Sequence, residues 1–253
     1  MVLAERELVT FANCYEDGAR AEAYATLEFK NTYHLAYRDI PAILGEHVRG
    51  RRSLDFGCGT GRSTRFLRQL GFEATGVDVA EDMIRQARQL DPSGAYCLIS
   101  AEDAPGEHIS SFPETTYDLV LAAFTFDNIA GRQNKVRILR ELARLLNREG
   151  RLVLIVSRPE IYIHEWASFS TKDFPENQRA KSGEKVRIIV TDHADSRPVE
   201  DILWTDEAYL AVFEPAGLRL QGKYEPLARP EEPYIWVSEL EIAPWAIYVL
   251  ERQ

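Results

Sequence analysis

The segment Leu54–Gly61, with the sequence Leu-Asp-Phe-Gly-Cys-Gly-Thr-Gly, constrains the fold of this chain more than any other feature. It begins within a short predicted strand, Ser53–Phe56, and precedes a helical pattern. Glycine residues let the backbone approach a ligand closely and adopt conformations that are closed to other residues. The start of the following helix adds free N–H groups and a positive dipole potential. The segment therefore predicts a cofactor-binding loop at the carboxyl end of a first strand.

Strand and helix patterns alternate from about residue 52 to residue 157. Such alternation is typical of βαβ units that build a parallel sheet. The fourth run, Tyr117–Ala123, is apolar enough to be buried on both faces of that sheet. The predicted strands are Ser53–Phe56, Ala74–Val79, Tyr96–Ile99, Tyr117–Ala123 and Arg151–Ser157, and the predicted helices are Thr60–Leu70, Glu81–Leu90 and Gln133–Leu146.

The flanking segments have a different character. Two strand-like runs, Lys185–Thr191 and Val199–Trp204, predict an inserted antiparallel hairpin, and Thr205 is a plausible cap for a helix over Thr205–Ala216. Leu218–Tyr224 and Ala246–Glu251 are the last predicted strands. We expect one domain in four parts: an N-terminal helical lid (1–45), a cofactor-binding core (46–157), an inserted lid with the hairpin (158–204) and the C-terminal part of the core sheet (205–253).

The spacing of the glycine residues separates two kinds of cofactor. Dinucleotide folds use Gly-x-Gly-x-x-Gly, whereas here the third glycine follows the first by four residues and Asp55 precedes the first by two. A carboxylate at that position repels a pyrophosphate but suits a ligand that carries an ammonium and a sulfonium group. Asp78, at the end of the second predicted strand, is placed to accept hydrogen bonds from ribose hydroxyl groups, although it also suits a helix cap.

Five segments, in order, resemble the motifs of the class I methyltransferases that use S-adenosylmethionine (SAM). The resemblance implies a doubly wound, Rossmann-like α/β fold with seven strands, mostly parallel with an antiparallel last strand. It also implies SAM as the cofactor and S-adenosylhomocysteine as its product. The segments are Leu54–Gly61, Gly76–Met83, Ser100–Pro105, Tyr117–Ala123 and Asn147–Leu152.

The same resemblance implies a set of cofactor-binding residues. The glycine loop and Asp55 are expected at the methionine end, and Asp78 at the ribose. Val79, Met83, Ala101 and Glu102 are expected near the adenine, and Ala123 and Phe124 beside the transferred methyl group. The full set is Asp55, Gly57, Cys58, Gly59, Gly61, Asp78, Val79, Met83, Ala101, Glu102, Ala123 and Phe124.

The net charge and the residues at the end of the fourth predicted strand both favour a small-molecule acceptor. The net charge of −10 disfavours nucleic acid as a partner, because an acidic surface repels phosphate groups. The segment Ala122–Asn128 lacks the Asn-Pro-Pro-aromatic and Pro-Cys patterns of nucleic-acid methyltransferases. We expect N- or O-methylation of a small, aromatic or heteroaromatic metabolite by a monomer or homodimer. With no evident signal peptide or apolar span, we expect a soluble, cytoplasmic protein without membrane partners.

Candidate catalytic and substrate residues come from the variable segments. His34, Asp127 and His164 are candidate bases, although packing or surface roles are the alternative for each. Aromatic side chains are candidates for stacking on the acceptor, with core packing as the alternative. No metal site is predicted, and His193 is expected on the surface of a turn. The substrate candidates are Tyr24, Tyr33, Trp166 and Trp236.

Two rival functions remain open at this level. A nicotinamide-dependent oxidoreductase also places a glycine loop and a strand-end carboxylate at its cofactor, although Asp55 and the glycine spacing argue against it. A SAM-binding sensor or subunit without transferase activity is the second, because no side chain is an unambiguous base.

Overall fold

The computed structural model describes residues 18–99, 109 and 112–253. Within these residues, helices alternate with strands as the sequence patterns predict. No helix in this part of the chain combines the length and the apolar character needed to cross a membrane. The helices are α1 (Gly18–Ala25), α2 (Thr32–Arg38), α3 (Ile40–His47), α4 (Arg62–Gln69), α5 (Glu81–Leu90), α6 (Arg132–Leu145) and α7 (Asp206–Phe213). The strands are β1 (Arg52–Phe56), β2 (Glu73–Asp78), β3 (Ala95–Leu98), β4 (Tyr117–Ala123), β5 (Leu146–Ser157), β6 (Phe169–Ser170), β7 (Lys185–Val190), β8 (Val199–Ile202), β9 (Leu218–Tyr224) and β10 (Trp245–Arg252).

Seven of these strands form one sheet in the order β3-β2-β1-β4-β5-β10-β9. The first five strands in that order pair in parallel, and β10 pairs antiparallel with both β5 and β9. The predicted seven-stranded sheet with an antiparallel last strand is confirmed. The strand order reverses between β1 and β4, so the sheet has a crevice at their carboxyl ends, where ligands bind in open α/β folds.

Strand β4 lies at the centre of the core. Its residues Leu119–Ala122 are fully buried. Because side chains alternate along a strand, Leu119 and Leu121 pack with α2 and α3 on one face, whereas Val120 and Ala122 pack with α6 and α7 on the other. This double burial explains the continuous apolar run in the sequence.

The predicted starts of β5 and α4 were wrong. The expected turn at Asn147–Leu152 belongs to β5, which starts directly after α6 and shifts register where Tyr117 and Leu119 pair with it. A hydrogen bond of 2.5 Å from the Asn147 amide to Asp118 holds the strands together there. Helix α4 begins two residues later than expected, because Gly61 precedes it with a φ of +80°.

The inserted hairpin is present as β7 and β8, and β6 adds a third antiparallel strand to it. Helix α7 follows the hairpin, and the Thr205 side chain caps it by accepting a hydrogen bond from the Ala208 N–H group at 3.3 Å. The hairpin thus leads directly into the α7 face of the core.

A buried carboxylate ties the flanking segments together. Glu239, in the loop between β9 and β10, is fully buried. Its Oε1 accepts hydrogen bonds from the Thr32 hydroxyl at 2.6 Å and the Ala167 N–H at 2.7 Å. Its Oε2 accepts from the N–H groups of Val237 and Ser238 at 2.8 and 3.1 Å. One side chain therefore joins α2, the segment after β5 and the loop before β10.

We predict that Glu239→Gln lowers the free energy of unfolding by about 2 kcal/mol, because an amide N–H₂ would face buried donors that then lose their acceptor. Urea unfolding measures this effect. Glu241→Gln, at an exposed position in the same loop, is the matched control and should change little. Equal unfolding free energies for the two variants would contradict the role of Glu239.

Candidate functional site

The glycine loop follows β1 and consists of Gly57, Gly59 and Gly61, which have φ values of +73°, +53° and +80°. A side chain at Gly57 would lie 2.2 Å from the Thr125 hydroxyl oxygen, and one at Gly61 would lie 2.7 Å from the Tyr96 ring. Gly59 differs, since a Cβ atom there would meet no atom of the described residues within 4 Å. The backbone at Gly59 therefore faces open space, whereas its two neighbours are packed by the fold.

Asp55 lies within β1 and is fully buried. Its Oδ2 accepts hydrogen bonds from the hydroxyl groups of Ser63 and Thr64, at 2.7 and 2.6 Å, in the first turn of α4. Burial raises the pKa of the carboxyl group to about 6, although these two hydrogen bonds act in the opposite direction. Oδ1 has no hydrogen-bond partner among the described residues, which leaves a buried acceptor next to the glycine loop.

Asp78 ends β2 and is linked to the same loop. Its Oδ2 accepts a hydrogen bond from the Gly59 N–H at 2.8 Å, and its Oδ1 accepts one from the Ala80 N–H at 2.9 Å. Burial raises its pKa. A carboxylate oxygen accepts more than one hydrogen bond, so both oxygens retain acceptor capacity for a ligand.

Three further predicted cofactor residues are Met83, Val79 and Cys58. Met83 is buried against Ala80 and α1, and Val79 is half-buried. Cys58 is buried with a thiol pKa raised well above its usual range, mainly by burial, so the thiol stays neutral and unreactive. The predicted residues Ala101 and Glu102 lie outside the described residues.

An aromatic cluster, formed by Tyr33, Phe124, Phe169 and Trp245, follows the end of β4. Phe124 comes directly after Ala123 and has a φ of +62°, which is unusual for a residue with a side chain. Its N–H donates to the Ile155 carbonyl at 2.7 Å. The Phe124 ring centroid lies 4.7 Å from that of Trp245 and 5.8 Å from that of Tyr33. The strained turn therefore holds Phe124 against the buried rings on the α2 face of the sheet.

The three candidate bases are distributed over the structure and do not contact one another. His34 lies 3.3 Å from Glu232 and packs on Tyr234 with a centroid distance of 5.0 Å. His164 packs near Trp166 with a centroid distance of 6.2 Å. Asp127 is buried on the opposite face of the sheet from Phe124. The structure thus assembles no group of interacting bases from these residues, and their catalytic roles stay predictions.

The four substrate candidates also lie in different parts of the structure. Tyr33 belongs to the aromatic cluster, and Tyr24 packs on the half-buried His193 with a centroid distance of 5.2 Å. Trp166 is buried and its N–H donates to the Ile161 carbonyl. The Trp236 N–H donates to the Arg229 carbonyl in the loop before β10. Of the four, Tyr33 alone touches Phe124.

His193 is more enclosed than its turn-rich sequence suggested. Its Nδ1 accepts a hydrogen bond from the Asp195 N–H at 3.2 Å, which assigns the proton of the neutral ring to Nε2. Nε2 is buried without a partner among the described residues, and burial lowers the pKa of the ring. His193 therefore offers an unused N–H donor beside Tyr24.

A buried charge cluster, formed by Asp127, Lys135 and Asp201, lies on the α6 face of the sheet. Asp127 accepts hydrogen bonds from the Ser157 N–H at 3.0 Å and hydroxyl at 2.8 Å. Lys135 is fully buried, donates to the Phe126 carbonyl and lies 4.7 Å from the centroid of the Trp204 ring. Asp201, on β8, accepts from the Tyr162 hydroxyl at 3.0 Å and is likewise buried. Of these three residues, only Asp127 is a candidate that the sequence predicts.

Comparisons with known proteins relate this chain to methyltransferases. Residues 54–154 match the family model described as a methyltransferase domain. A malonyl-[acyl-carrier protein] O-methyltransferase of Brevibacillus brevis is 30% identical over 219 residues, which cover 85% of this chain and 72% of that protein. The chain belongs to the class I SAM-dependent methyltransferases. The predicted family and its SAM cofactor are therefore confirmed.

Other methyltransferases match in part or in fold alone. A demethylmenaquinone methyltransferase of Thermotoga maritima is 29% identical over 135 residues, which cover 48% of this chain and 55% of that protein. The chain spans about half the length of the first curated relatives it matches. A SAM-dependent methyltransferase structure from Clostridium acetobutylicum has a TM-score of 0.59 at 14% identity, with 95% of this chain and 99% of that chain covered.

The residues of this methyltransferase fit the SAM cofactor. The open space at Gly59 admits a ligand against the backbone, and the unpartnered Oδ1 of Asp55 suits a cationic group. Asp78 retains acceptor capacity for two hydroxyl groups of a ribose. These features lie in β1, at the end of β2 and on the loop after β1, at the crevice of the sheet.

We predict that Gly59→Ala lowers the affinity for S-adenosylhomocysteine by at least about tenfold, because the new methyl group occupies the ligand's space (1.4 kcal/mol is about tenfold). Calorimetric titration measures this affinity. Gly183→Ala is the matched control, since Gly183 also has a positive φ, of +95°, and open space around it, but lies in the turn before β7. Both variants should lose about 1–2 kcal/mol of stability through backbone strain. An equal affinity in both variants would contradict the placement of the ligand at Gly59.

The charge cluster predicts an unusual dependence of stability on pH. Burial raises the pKa of Asp127 to about 6 and that of Asp201 to about 7, and burial lowers the pKa of Lys135 to about 7. Between pH 4 and pH 7 the folded state holds more protons on the two acids than the unfolded state, so the unfolding free energy falls as pH rises. Above pH 7 the unfolded state holds more protons on Lys135 than the folded state does. The contribution of Lys135 to the unfolding free energy therefore rises with pH.

We therefore predict that Asp201→Asn reduces the loss of unfolding free energy between pH 4 and pH 7 by at least about 1.4 kcal/mol, which is the value of one pKa unit. Urea unfolding at a series of pH values measures it. Asp173→Asn, at an exposed position, is the control and should follow the original chain. Parallel pH profiles for all three proteins would show that Asp201 titrates normally.

Proposed function

We propose that this chain transfers a methyl group from SAM to an oxygen or nitrogen atom of a small, planar aromatic metabolite. The observation that carries the proposal is the aromatic cluster directly after β4, beside the glycine loop at the crevice of the sheet. Planar acceptors stack favourably on aromatic side chains. The strained φ of Phe124 also supports the proposal, because backbone strain is concentrated at functional sites.

Names of relatives support a small acceptor. A ubiquinone biosynthesis O-methyltransferase of Bordetella avium is 29% identical over 94 residues, and a 2-methyl-6-phytyl-1,4-hydroquinone methyltransferase of Synechocystis is 29% identical over 106 residues. Both names refer to the chemistry of a quinone or hydroquinone ring. For this chain the ring class is part of the proposal, as is the choice between oxygen and nitrogen.

The residues of the chain would act mainly by positioning. Bound SAM supplies a methyl group that is electrophilic because it is attached to a sulfonium. Asp55 and Asp78 hold the cofactor's polar groups, and Phe124 and Tyr33 orient the acceptor ring beside them. Alignment of two reactants in one site accounts for much of the rate of such a displacement. A dedicated base is not required where the acceptor atom is already nucleophilic. Where the acceptor must lose a proton, His34, Asp127 and His164 keep their proposed roles as bases.

We further propose that residues 1–45 and 158–204 act as a lid. Residues of α2, β6 and β7 in these segments pack on the same face as the aromatic cluster, with Phe169 and Tyr33 in contact at a centroid distance of 5.1 Å. Closure of such segments excludes water from the reacting groups.

A screen with SAM labelled in the methyl group, against small-molecule extracts and defined phenols, catechols and aromatic amines, tests the proposal. We expect label in an aromatic acceptor. Label in proteins or nucleic acid alone, or in no acceptor at all, would overturn it, and the second result would favour a SAM-binding sensor. Titration with NADH is the control for a nicotinamide enzyme.

We predict that Phe124→Ala raises the KM for the labelled acceptor by about tenfold, because it removes ring stacking of roughly 1 kcal/mol together with apolar contact area. Its affinity for S-adenosylhomocysteine should change less than about twofold. Phe72→Ala is the control, because Phe72 is half-buried just before β2, at the amino edge of the sheet. An unchanged KM in Phe124→Ala would remove this residue from the acceptor site.

A further inference from the structure

Arg62 is the first residue of α4 and directly follows the glycine loop. Its guanidinium carbon lies 4.5 Å from the centroid of the Tyr33 ring, 5.2 Å from that of Phe29 and 5.8 Å from that of Tyr37. One N–H donates to the Glu28 carbonyl at 3.0 Å. No carboxylate of the described residues lies within 4.0 Å of it.

Arg62 differs in this respect from the half-buried Arg38 and Arg158, whereas the half-buried Arg65 also has no carboxylate partner among the described residues. Arg38 pairs with Asp39 and Glu232, and Arg158 pairs with Glu160 and Glu225. A guanidinium group carries five N–H donors in a planar fork that matches a carboxylate. Arg62 is half-buried among rings, where unused donors of a cation are costly. Among the described residues, no anion is present to accept hydrogen bonds from these donors.

The position of Arg62 connects the two parts of the candidate site. Tyr33 contacts both Arg62 and Phe124, so the cation lies at the border of the aromatic cluster. Arg62 and Asp55 both influence the Tyr37 hydroxyl: burial raises the pKa of Tyr37 to about 12, Arg62 lowers it and Asp55 raises it. Among the described residues, a cation without an acid partner and a carboxylate with a buried, unpartnered oxygen thus lie near one tyrosine.

We infer that Arg62 is the carboxylate-binding residue of this site. The inference rests on the proposed function and deepens it, since it names the group that this part of the site recognises. Two sources supply such a carboxylate: the amino-acid end of the cofactor, or an acceptor that carries an acid group on its ring. Asp55 would balance the ammonium group in the first case, and the aromatic cluster would hold the ring in the second.

Calorimetric titration of Arg62→Gln separates the two sources. For the cofactor, S-adenosylhomocysteine is compared with 5′-methylthioadenosine, which lacks the amino-acid carboxylate. For the acceptor, 3,4-dihydroxybenzoate is compared with catechol on protein saturated with S-adenosylhomocysteine. We expect a loss of at least about tenfold for the carboxylate-bearing member of one pair and less than about twofold for its partner, as charge-assisted hydrogen bonds imply.

Two further variants complete the test, one conservative and one a control. Arg62→Lys retains the charge over the rings but lacks the planar fork, so it should recover only part of the affinity, and it serves as the test if Arg62→Gln does not fold. Arg68→Gln removes one charge from the same helix, where Arg68 pairs with Asp91, and should leave all four titrations unchanged.

The outcomes are distinct. If Arg62→Gln and Arg62→Lys bind every probe as the original chain does, the inference is wrong while the proposed function stands. If S-adenosylhomocysteine and 5′-methylthioadenosine lose affinity equally, Arg62 supports the loop and does not bind a carboxylate. If the original chain binds no S-adenosylhomocysteine, the proposed function fails and the inference fails with it.

Discussion

The close approach between Gly57 and Thr125 is the contact on which the site depends. The Thr125 hydroxyl donates to the Phe56 carbonyl at 2.9 Å, and a Cβ atom at position 57 would lie 2.2 Å from its oxygen. Only glycine permits this contact. It joins the end of β1 to the turn after β4, so the glycine loop and Phe124 take their positions together. The reversal of strand order between β1 and β4 then creates a crevice whose two walls are already linked.

Much of this architecture was predictable because its signals are local. The continuous apolar run of β4, the glycine spacing and the two strand-end carboxylates each reflect a constraint that acts within a few residues. The start of β5 was not predictable, since it depends on a hydrogen bond between Asn147 and Asp118 and on a shift in register between neighbouring strands. Such pairing is decided by residues 29 positions apart.

The positions of the buried polar residues were harder to predict from the sequence. Lys135 lies four residues before Leu139 and seven before Leu142, so it belongs to the apolar face of α6, a signal that was present in the sequence but outweighed by its charge. Glu239 carries no comparable signal. Its partners come from α2, from the segment after β5 and from its own loop, and only the folded chain brings these donors to one carboxylate. The candidate bases fail to converge for the same reason, since residue type alone does not say which face of the sheet a side chain occupies.

The charge cluster has a consequence for the region around Phe124. Asp127 belongs to the same short turn as Phe124, yet its carboxylate packs with Ser157 and Lys135 on the α6 face, whereas the Phe124 ring packs on the α2 face. The turn is thus held from both sides of the sheet. Asp201 adds the inserted hairpin to this arrangement through Tyr162 and the shared cation. The charge of Lys135 lowers the pKa values of two buried acids that belong to the turn and to the hairpin, so its protonation is linked to theirs. The cation of α6 therefore couples the strained turn that carries Phe124 to the hairpin.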